Sequence, residues 1–368
     1  MRFPLLEEAM TGVNFTADDW ARIRRDYTAW WAGELDRPLI CMPGVTRDGK
    51  PRKAKGFHGF LSSFPKEVTP EEIVERYVAY GSQRVYMGDT YPFWFINFGP
   101  GILAGPLGAR VNPTEETVWF DPPRGASLAT LGIEMDRNNY WWRRILAVTK
   151  TAVDMIGGKV QISHTDLGGN LDILASLIGT ESLLVELIDH PDKVMEAVAG
   201  ITEAWLEAYD ELAAIIAKRC PGTNSWHSVW APGTTYILQC DFSYMISPDM
   251  FKRFVTPDLT ACCDRLEYAF YHLDGIGEIP HLDHLLSIER LRGIQWIQGD
   301  GKPTPEHWPD LYRRIRAAGK LVQVNVTREG AKKICREVGG RGFTLSVNDE
   351  MSAKEAERFL DEMRRING

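Results

Sequence analysis

Histidine, carboxylate and amide side chains recur along this chain, each time just after an apolar run. Gly88-Asp89-Thr90 follows one run, with Phe93 and Trp94 behind it. His164-Thr165-Asp166 follows another, with Asn170 and Asp172 close behind. Trp226, His227 and Trp230 sit together, and Cys240-Asp241 comes next. Tyr271-His272-Leu273-Asp274-Gly275, then Trp296 with Gln298, then Asn325, then Asn348-Asp349 complete the series. Imidazoles and carboxylates exchange protons near neutral pH and bind divalent metals. The aromatic residues among them suit a flat ring, a sugar or a methylammonium group. Some of the polar residues need do no more than cap the next helix, and Asp172, Thr327 and Asp349 suit that role. As a set they are unlike a plain core, where each buried polar group needs a partner.

The elements that must position them alternate. Strand runs are expected at 38–43, 84–89, 159–164, 225–230, 267–272, 294–298, 321–326 and 342–347. Helices are expected near 70–82, 136–157, 170–177, 180–188, 191–219, 248–265, 280–288, 305–318, 328–337 and 352–366. A further helix at 16–34 opens on Thr16 with Asp19 three residues on, a capping-box pattern. Several runs, such as Leu321 to Val326, are mainly apolar, as strands buried on both faces are. Eight strands in βα order predict an α/β fold, a (β/α)8 TIM barrel forming one domain over 37–368. Residues 1–36 are expected to be a helical N-terminal extension. The competing dinucleotide fold needs a glycine-rich turn after its first strand. Here that place reads Pro43-Gly44-Val45-Thr46-Arg47. In a barrel the chemistry collects at the C-terminal ends of the strands, where the polar series falls.

The chain has 368 residues, with 42 Lys+Arg against 50 Asp+Glu and a formal net charge of -8. That balance argues against a nucleic-acid binder. No apolar stretch is long enough to span a bilayer. Met1 to Gly12, with Glu7 and Glu8, does not read as a secretory leader. The six cysteines show no CxxC spacing and read as reduced thiols of a cytoplasmic protein.

Ile246-Ser247-Pro248-Asp249-Met250-Phe251 with Phe254-Val255-Thr256-Pro257 resembles the "SPE-F-EEF-P" segment of the uroporphyrinogen decarboxylase superfamily. Tyr271-His272-Leu273-Asp274-Gly275 is similar to its "FH-G" strand. Asp89 with Gly99-Pro100-Gly101, and Asp166-Leu167-Gly168-Gly169 with Asp172, resemble segments of its less-studied members. The resemblance runs from about Arg37 to the C-terminus. It implies a (β/α)8 barrel and one of two activities: decarboxylation of uroporphyrinogen, or zinc-dependent methyl transfer from a methylated corrinoid protein to a thiol.

The chain departs from the family pattern in two places. The decarboxylases carry an Arg-containing "MRQAGR" segment after the first strand, and Cys41-Met42-Pro43-Gly44-Val45-Thr46-Arg47 stands there instead. A substrate with eight carboxylates needs several fixed cations, and the strand ends hold almost none. The nearest cluster, Arg47, Lys50, Arg52, Lys53 and Lys55, reads as a solvated loop or a lid over an anionic group. The methyltransferases hold zinc by His-x-Cys and a distant Cys near strand eight. Here His272, Asp274 and Asp349 stand where the resemblance puts the ligands, and Cys240 is a further candidate ligand. The expected function is therefore a corrinoid-linked methyltransferase using zinc or another divalent metal as a Lewis acid. Asp89, Asp166 and His164 are its expected catalytic groups. Trp94, Asn170, Trp226, His227, Trp230, Tyr271, Trp296, Gln298 and Asn325 are its expected substrate contacts. The expected partners are a small-molecule substrate and a corrinoid protein, and a homodimer is left open. A decarboxylase of a tetrapyrrole or smaller acid, and a sugar-binding or glycoside-processing barrel, are the alternatives.

Overall fold

The computed structural model describes residues 13–53 and 56–367. The reading of Met1–Gly12, which also begins the 1–36 extension, and Lys55 of the basic loop lie outside these residues. Helix α1 (Ala17–Trp31) starts as expected: Thr16 Oγ1 accepts from Asp19 N, and the Asp19 carboxylate accepts from Thr16 N. Ile23, Tyr27, Trp30 and Trp31 form its buried face. That face packs on residues that begin strands, including Leu39, Phe270 and Leu321. The Trp30 indole donates to the Phe343 carbonyl at 3.1 Å, and the Trp31 indole donates to the Trp230 carbonyl at 2.9 Å. An aromatic helix thus covers the N-terminal ends of the strands.

Eight strands follow in chain order: β1 (Leu39–Cys41), β2 (Phe93–Phe95), β3 (Gln161–Ser163), β4 (Thr235–Leu238), β5 (Tyr268–Asp274), β6 (Leu291–Ile297), β7 (Leu321–Val326) and β8 (Phe343–Val347). All pairings among them are parallel. One six-stranded sheet runs β1-β8-β7-β6-β5-β4, and β2 pairs with β3. Helices separate them: α2 (Pro70–Gly81), α3 (Tyr140–Ile156), α4 (Asn170–Ile178), α5 (Thr180–Asp189), α6 (Pro191–Ile216), α7 (Pro248–Phe254), α8 (Thr256–Arg265), α9 (Leu282–Ser287), α10 (Pro309–Ala317), α11 (Arg328–Val338) and α12 (Ala353–Asn367). A central parallel sheet with crossover helices fits a TIM-like barrel. Among the described residues no helix is long and apolar enough to cross a membrane.

Two expected strands are corrected. The second strand is Phe93–Phe95, not 84–89. Residues 84–92 lead into it, and Asp89 N bonds back to the Ile40 carbonyl at 2.8 Å. The fourth strand is Thr235–Leu238, not 225–230. The segment Thr223–Ala231 is a loop closed by an antiparallel bridge between its two ends. Its Val229, Trp230 and Ala231 are buried with α1 and the strand starts, which is why the run looks like a strand in sequence. A hairpin of Arg110–Pro113 with Val118–Asp121, which the sequence pattern does not announce, stands beyond the end of β2.

Candidate active site and metal centre

Residues at a strand's inner and outer face alternate. On β5, Phe270 faces inward with the strand starts, so His272 and Asp274 share the inner face and Tyr271 and Leu273 do not. Parallel register sets Gln295 of β6 beside His272. His272 Nδ1 hydrogen-bonds Gln295 Oε1, which directs Nε2 toward the cleft. Nε2 lies 3.9 Å from Asp274 Oδ2. Asp241 joins them, and the three residues' ligand atoms lie within 4.8 Å of one another. Asp241 is held from behind: Asp172 accepts from its backbone N–H at 3.1 Å and from that of Phe242 at 2.7 Å.

These groups open into a cleft of about 240 Å3 at the C-terminal ends of the strands. Phe60, Phe95, Pro100 and Thr117 supply the less polar walls, while Asn97, Asp166, Gln239, Asp241 and His272 supply the polar ones. Trp226 belongs to the Thr223–Ala231 loop and reaches the cleft from the strand-start side. Its ring meets His272 edge-on, with centroids 4.7 Å apart at 77°. Asp166 is 7% exposed. Burial, with the nearby Asp241 charge adding to it, pushes its carboxyl up to about 7 against a hydrogen bond from Gly168 N that opposes the shift. The loops carrying Asp166 and Pro100 touch glycine to glycine. A Cβ on Gly168, whose φ is +92°, would meet the Gly101 Cα at 2.6 Å.

The donor set suits a divalent cation. One imidazole is oriented through its other nitrogen by an amide oxygen, the outer arrangement common to metal-binding histidines. Two carboxylates and no thiolate make the set oxygen-rich, acceptable to zinc and equally to harder ions. Among the described residues that line the cleft there is no Lys or Arg.

Of the expected site residues, Asp166, Trp226, His272 and Asp274 come together, and Asp241, Gln295, Gln239 and Phe95 join them. The others lie elsewhere. Asp89 is buried at the start of the β1 region, where Arg37 donates to both its oxygens at 2.7 and 3.0 Å and Ile40 N at 2.7 Å. It is a structural ion pair, because the strand expected to lift it to the rim begins only at Phe93. His164 stacks on Tyr209 at 4.4 Å and is held neutral by burial, its pKa pushed down to about 3. Trp94, Tyr271 and Trp296 have the outward parity on their strands. Trp94 stacks on Tyr77 of α2 at 4.2 Å, and Trp296 packs on Trp308 at 5.1 Å. Asn170 donates to Thr202 and Asp258 behind the strands. Trp230 is core beside Trp31. His227 lies buried on Phe270, its Nδ1 paired with Ser225 Oγ at 2.9 Å. Gln298 is half-buried past the end of β6. Asn325 accepts from Gln323 on the inner face of β7 at 3.2 Å.

Two expected metal ligands stand apart from the cluster of three. Cys240 is 1% exposed, its thiol pushed up by burial and by neighbouring acids including Asp172 and Glu278. Asp349 accepts from Arg328 N at 2.8 Å, at the start of the preceding helix α11; it does not cap the helix that follows it, where Ser352 and Glu355 bond reciprocally. In the basic loop, Arg52 lies over the Tyr80 ring at 4.3 Å, outside the cleft.

No protein-family model and no curated protein matches the chain. Among solved structures it is similar to a methyltransferase from Methanosarcina mazei, with a TM-score of 0.60 at 14% identity, over 93% of this chain and 98% of that one. At this identity the likeness is one of fold, and it spans nearly the whole of both chains.

Proposed function

We propose that the chain is a methyltransferase whose eight strands close as a barrel around the cleft, moving a methyl group to or from a corrinoid held by a partner protein. The observation that carries this reading is the convergence of His272 Nε2 with the Asp241 and Asp274 carboxylates beside Asp166. A divalent metal held by those three residues would supply Lewis acidity toward the methyl acceptor. The chain's own groups do the rest. Asp166, poised near 7, takes the proton that an acceptor S–H or O–H must lose before it attacks a methyl carbon. Asn97 and Gln239 offer hydrogen bonds that orient the acceptor. Trp226, Phe60 and Phe95 supply aromatic walls against which the acceptor's apolar part can lie. Gln295 keeps His272 in one tautomer. The acidic lining, without Lys or Arg among the described residues, favours a neutral or cationic reactant over an acid, so methyl transfer ranks above decarboxylation.

The test uses protein purified without chelator. Its metal content is measured, and methylcobalamin is offered as surrogate donor with a panel of thiols, phenols and amines. Loss of the methylcobalamin absorbance, with methylated acceptor formed, is expected. It should vanish in Asp241→Asn and fall steeply in Asp166→Asn. Protein that takes up neither zinc, cobalt nor manganese and transfers no methyl group would sink the reading.

A further inference from the structure

A second concavity, of about 340 Å3, lies in the helical layer between α6 and the α7–α8 pair. Its size falls within the range of small-molecule pockets, about 300–1,000 Å3. The walls are apolar: Met195, Val198 and Leu206 from α6, and Phe254, Pro257 and Ala261 opposite. One buried acid breaks that surface. Asp258, in the first turn of α8, lines the groove and is 8% exposed. All its side-chain hydrogen bonds among the described residues land on Oδ1, from Thr202 at 2.9 Å, from Asn170, and from the Cys262 thiol at 3.7 Å. Oδ2 receives none. No Lys or Arg pairs with Asp258 among the described residues. Arg253, on the same groove, is engaged by Asp192 at 3.1 Å and lies over the Phe254 ring.

A carboxylate with one oxygen held from behind by three donors and the other free at an apolar surface leaves a fixed acceptor open to a ligand in the groove. Burial raises its pKa to about 6, against the hydrogen bonds from Thr202, Asn170 and Cys262 that lower it. Glu203, also on the groove, adds a second negative group. We propose that this groove is a binding site for a small ammonium ligand with an apolar body. The ammonium would donate to Asp258 Oδ2, and the body would lie against Met195, Val198 and Leu206. The charge selects the cation, and the walls select the hydrocarbon. The site is separate from the metal cluster and does not depend on the methyltransferase reading.

The test uses the full chain with three probes of one shape: 2-phenylethylammonium, 2-phenylethanol and phenylacetate. Calorimetry gives affinities, and the 13C-labelled Met195 methyl, assigned through Met195→Leu, reports the place. The ammonium should bind at least tenfold more tightly than the alcohol and shift the Met195 resonance, and phenylacetate should not bind. Asp258→Asn keeps an oxygen for Thr202 and Asn170; it should weaken the ammonium at least tenfold and leave the alcohol unchanged. Val198→Phe fills the groove without touching the acid and should abolish both. Equal affinity for ammonium and alcohol would overturn the proposal. So would ammonium binding that survives Asp258→Asn or Val198→Phe, or that leaves Met195 silent.

Discussion

Gln295 shows how much of the metal cluster rests on a group that binds no metal. Its Oε1 is the partner of His272 Nδ1, and cross-strand register places it there. Gln295→Leu keeps the side chain's bulk and removes that oxygen. Metal affinity should then fall about 10–100-fold, while the fold stands. Titration with zinc or manganese reads it, and an unchanged affinity would remove Gln295 from the site. Asp166 gives a second prediction, made for metal-free protein. Its carboxyl moves from the ordinary 3.8 to about 7 on folding, so the folded state binds this proton more tightly than the unfolded state does. The carboxyl costs no stability below about pH 4, costs progressively more up to about 7, and costs its full amount above that. Asp166→Asn should therefore raise the melting temperature at pH 8 and leave it nearly unchanged at pH 4. A larger gain at the lower pH would contradict the assignment. His272 and Asp274 were legible because both the pair and its place at a strand's end are written in consecutive residues. Gln295 was not, because only the register of two strands brings it to His272. Trp94, Tyr271 and Trp296 were misread for a related reason: sequence shows that an aromatic lies on a strand, and parity decides which face it occupies.

The Thr223–Ala231 loop and α1 act together in building the cleft. Trp31 of α1 donates to the Trp230 carbonyl, Tyr91 donates to the Ser228 carbonyl at 3.0 Å, and the loop so held carries Trp226 to His272. Trp31→Ala removes a fully packed indole and should cost about 3–5 kcal/mol. It should also speed hydrogen exchange across 223–231 more than across α11, which is packed far from that loop. Uniform acceleration would mean that α1 supports the whole body and not this loop. Ser228 sits at φ +57°, a left-handed conformation rare for a residue with a side chain. Ser228→Gly should leave stability unchanged or raised, because relief of strain offsets the freedom glycine adds to the unfolded chain. Ser228→Val should lower it by about 1–3 kcal/mol in chemical denaturation. Most helices could be read from apolar spacing, and α1 also from the Thr16–Asp19 capping pair. The second and fourth strands could not. Each has a neighbouring loop with a strand-like run, half-buried at 84–88 and mostly buried at 223–231, and such a run alone does not distinguish loop from strand.

At the scale of the whole molecule, charge decides between the two activities the resemblance offers. The cleft gathers Asp166 and Asp241 beside His272, with Asp274 next to them, and no Lys or Arg lines it among the described residues, in a chain of net charge -8. Uroporphyrinogen carries eight carboxylates. Each one brought within 4 Å of a cleft carboxylate meets a repulsion of about 1 kcal/mol in water and about 4 kcal/mol near a protein surface. A metal dication would offset part of this at one point only, and a cleft of about 240 Å3 is small for a macrocycle. The arginine that remains closest to the first strand, Arg37, is committed to Asp26 and Asp89 on the far side. The protein should therefore form no coproporphyrinogen from uroporphyrinogen above background under anaerobic conditions, with or without added zinc, when the products are oxidised and separated by chromatography. Adding arginines at the rim, as in Thr117→Arg with Gln239→Arg, should raise retention of the substrate without producing turnover, because charge would then be supplied but not the chemistry. Robust decarboxylation by the unaltered chain would require that the cleft carboxyls be protonated or turned away in the complex. It would place the decarboxylase reading ahead of methyl transfer.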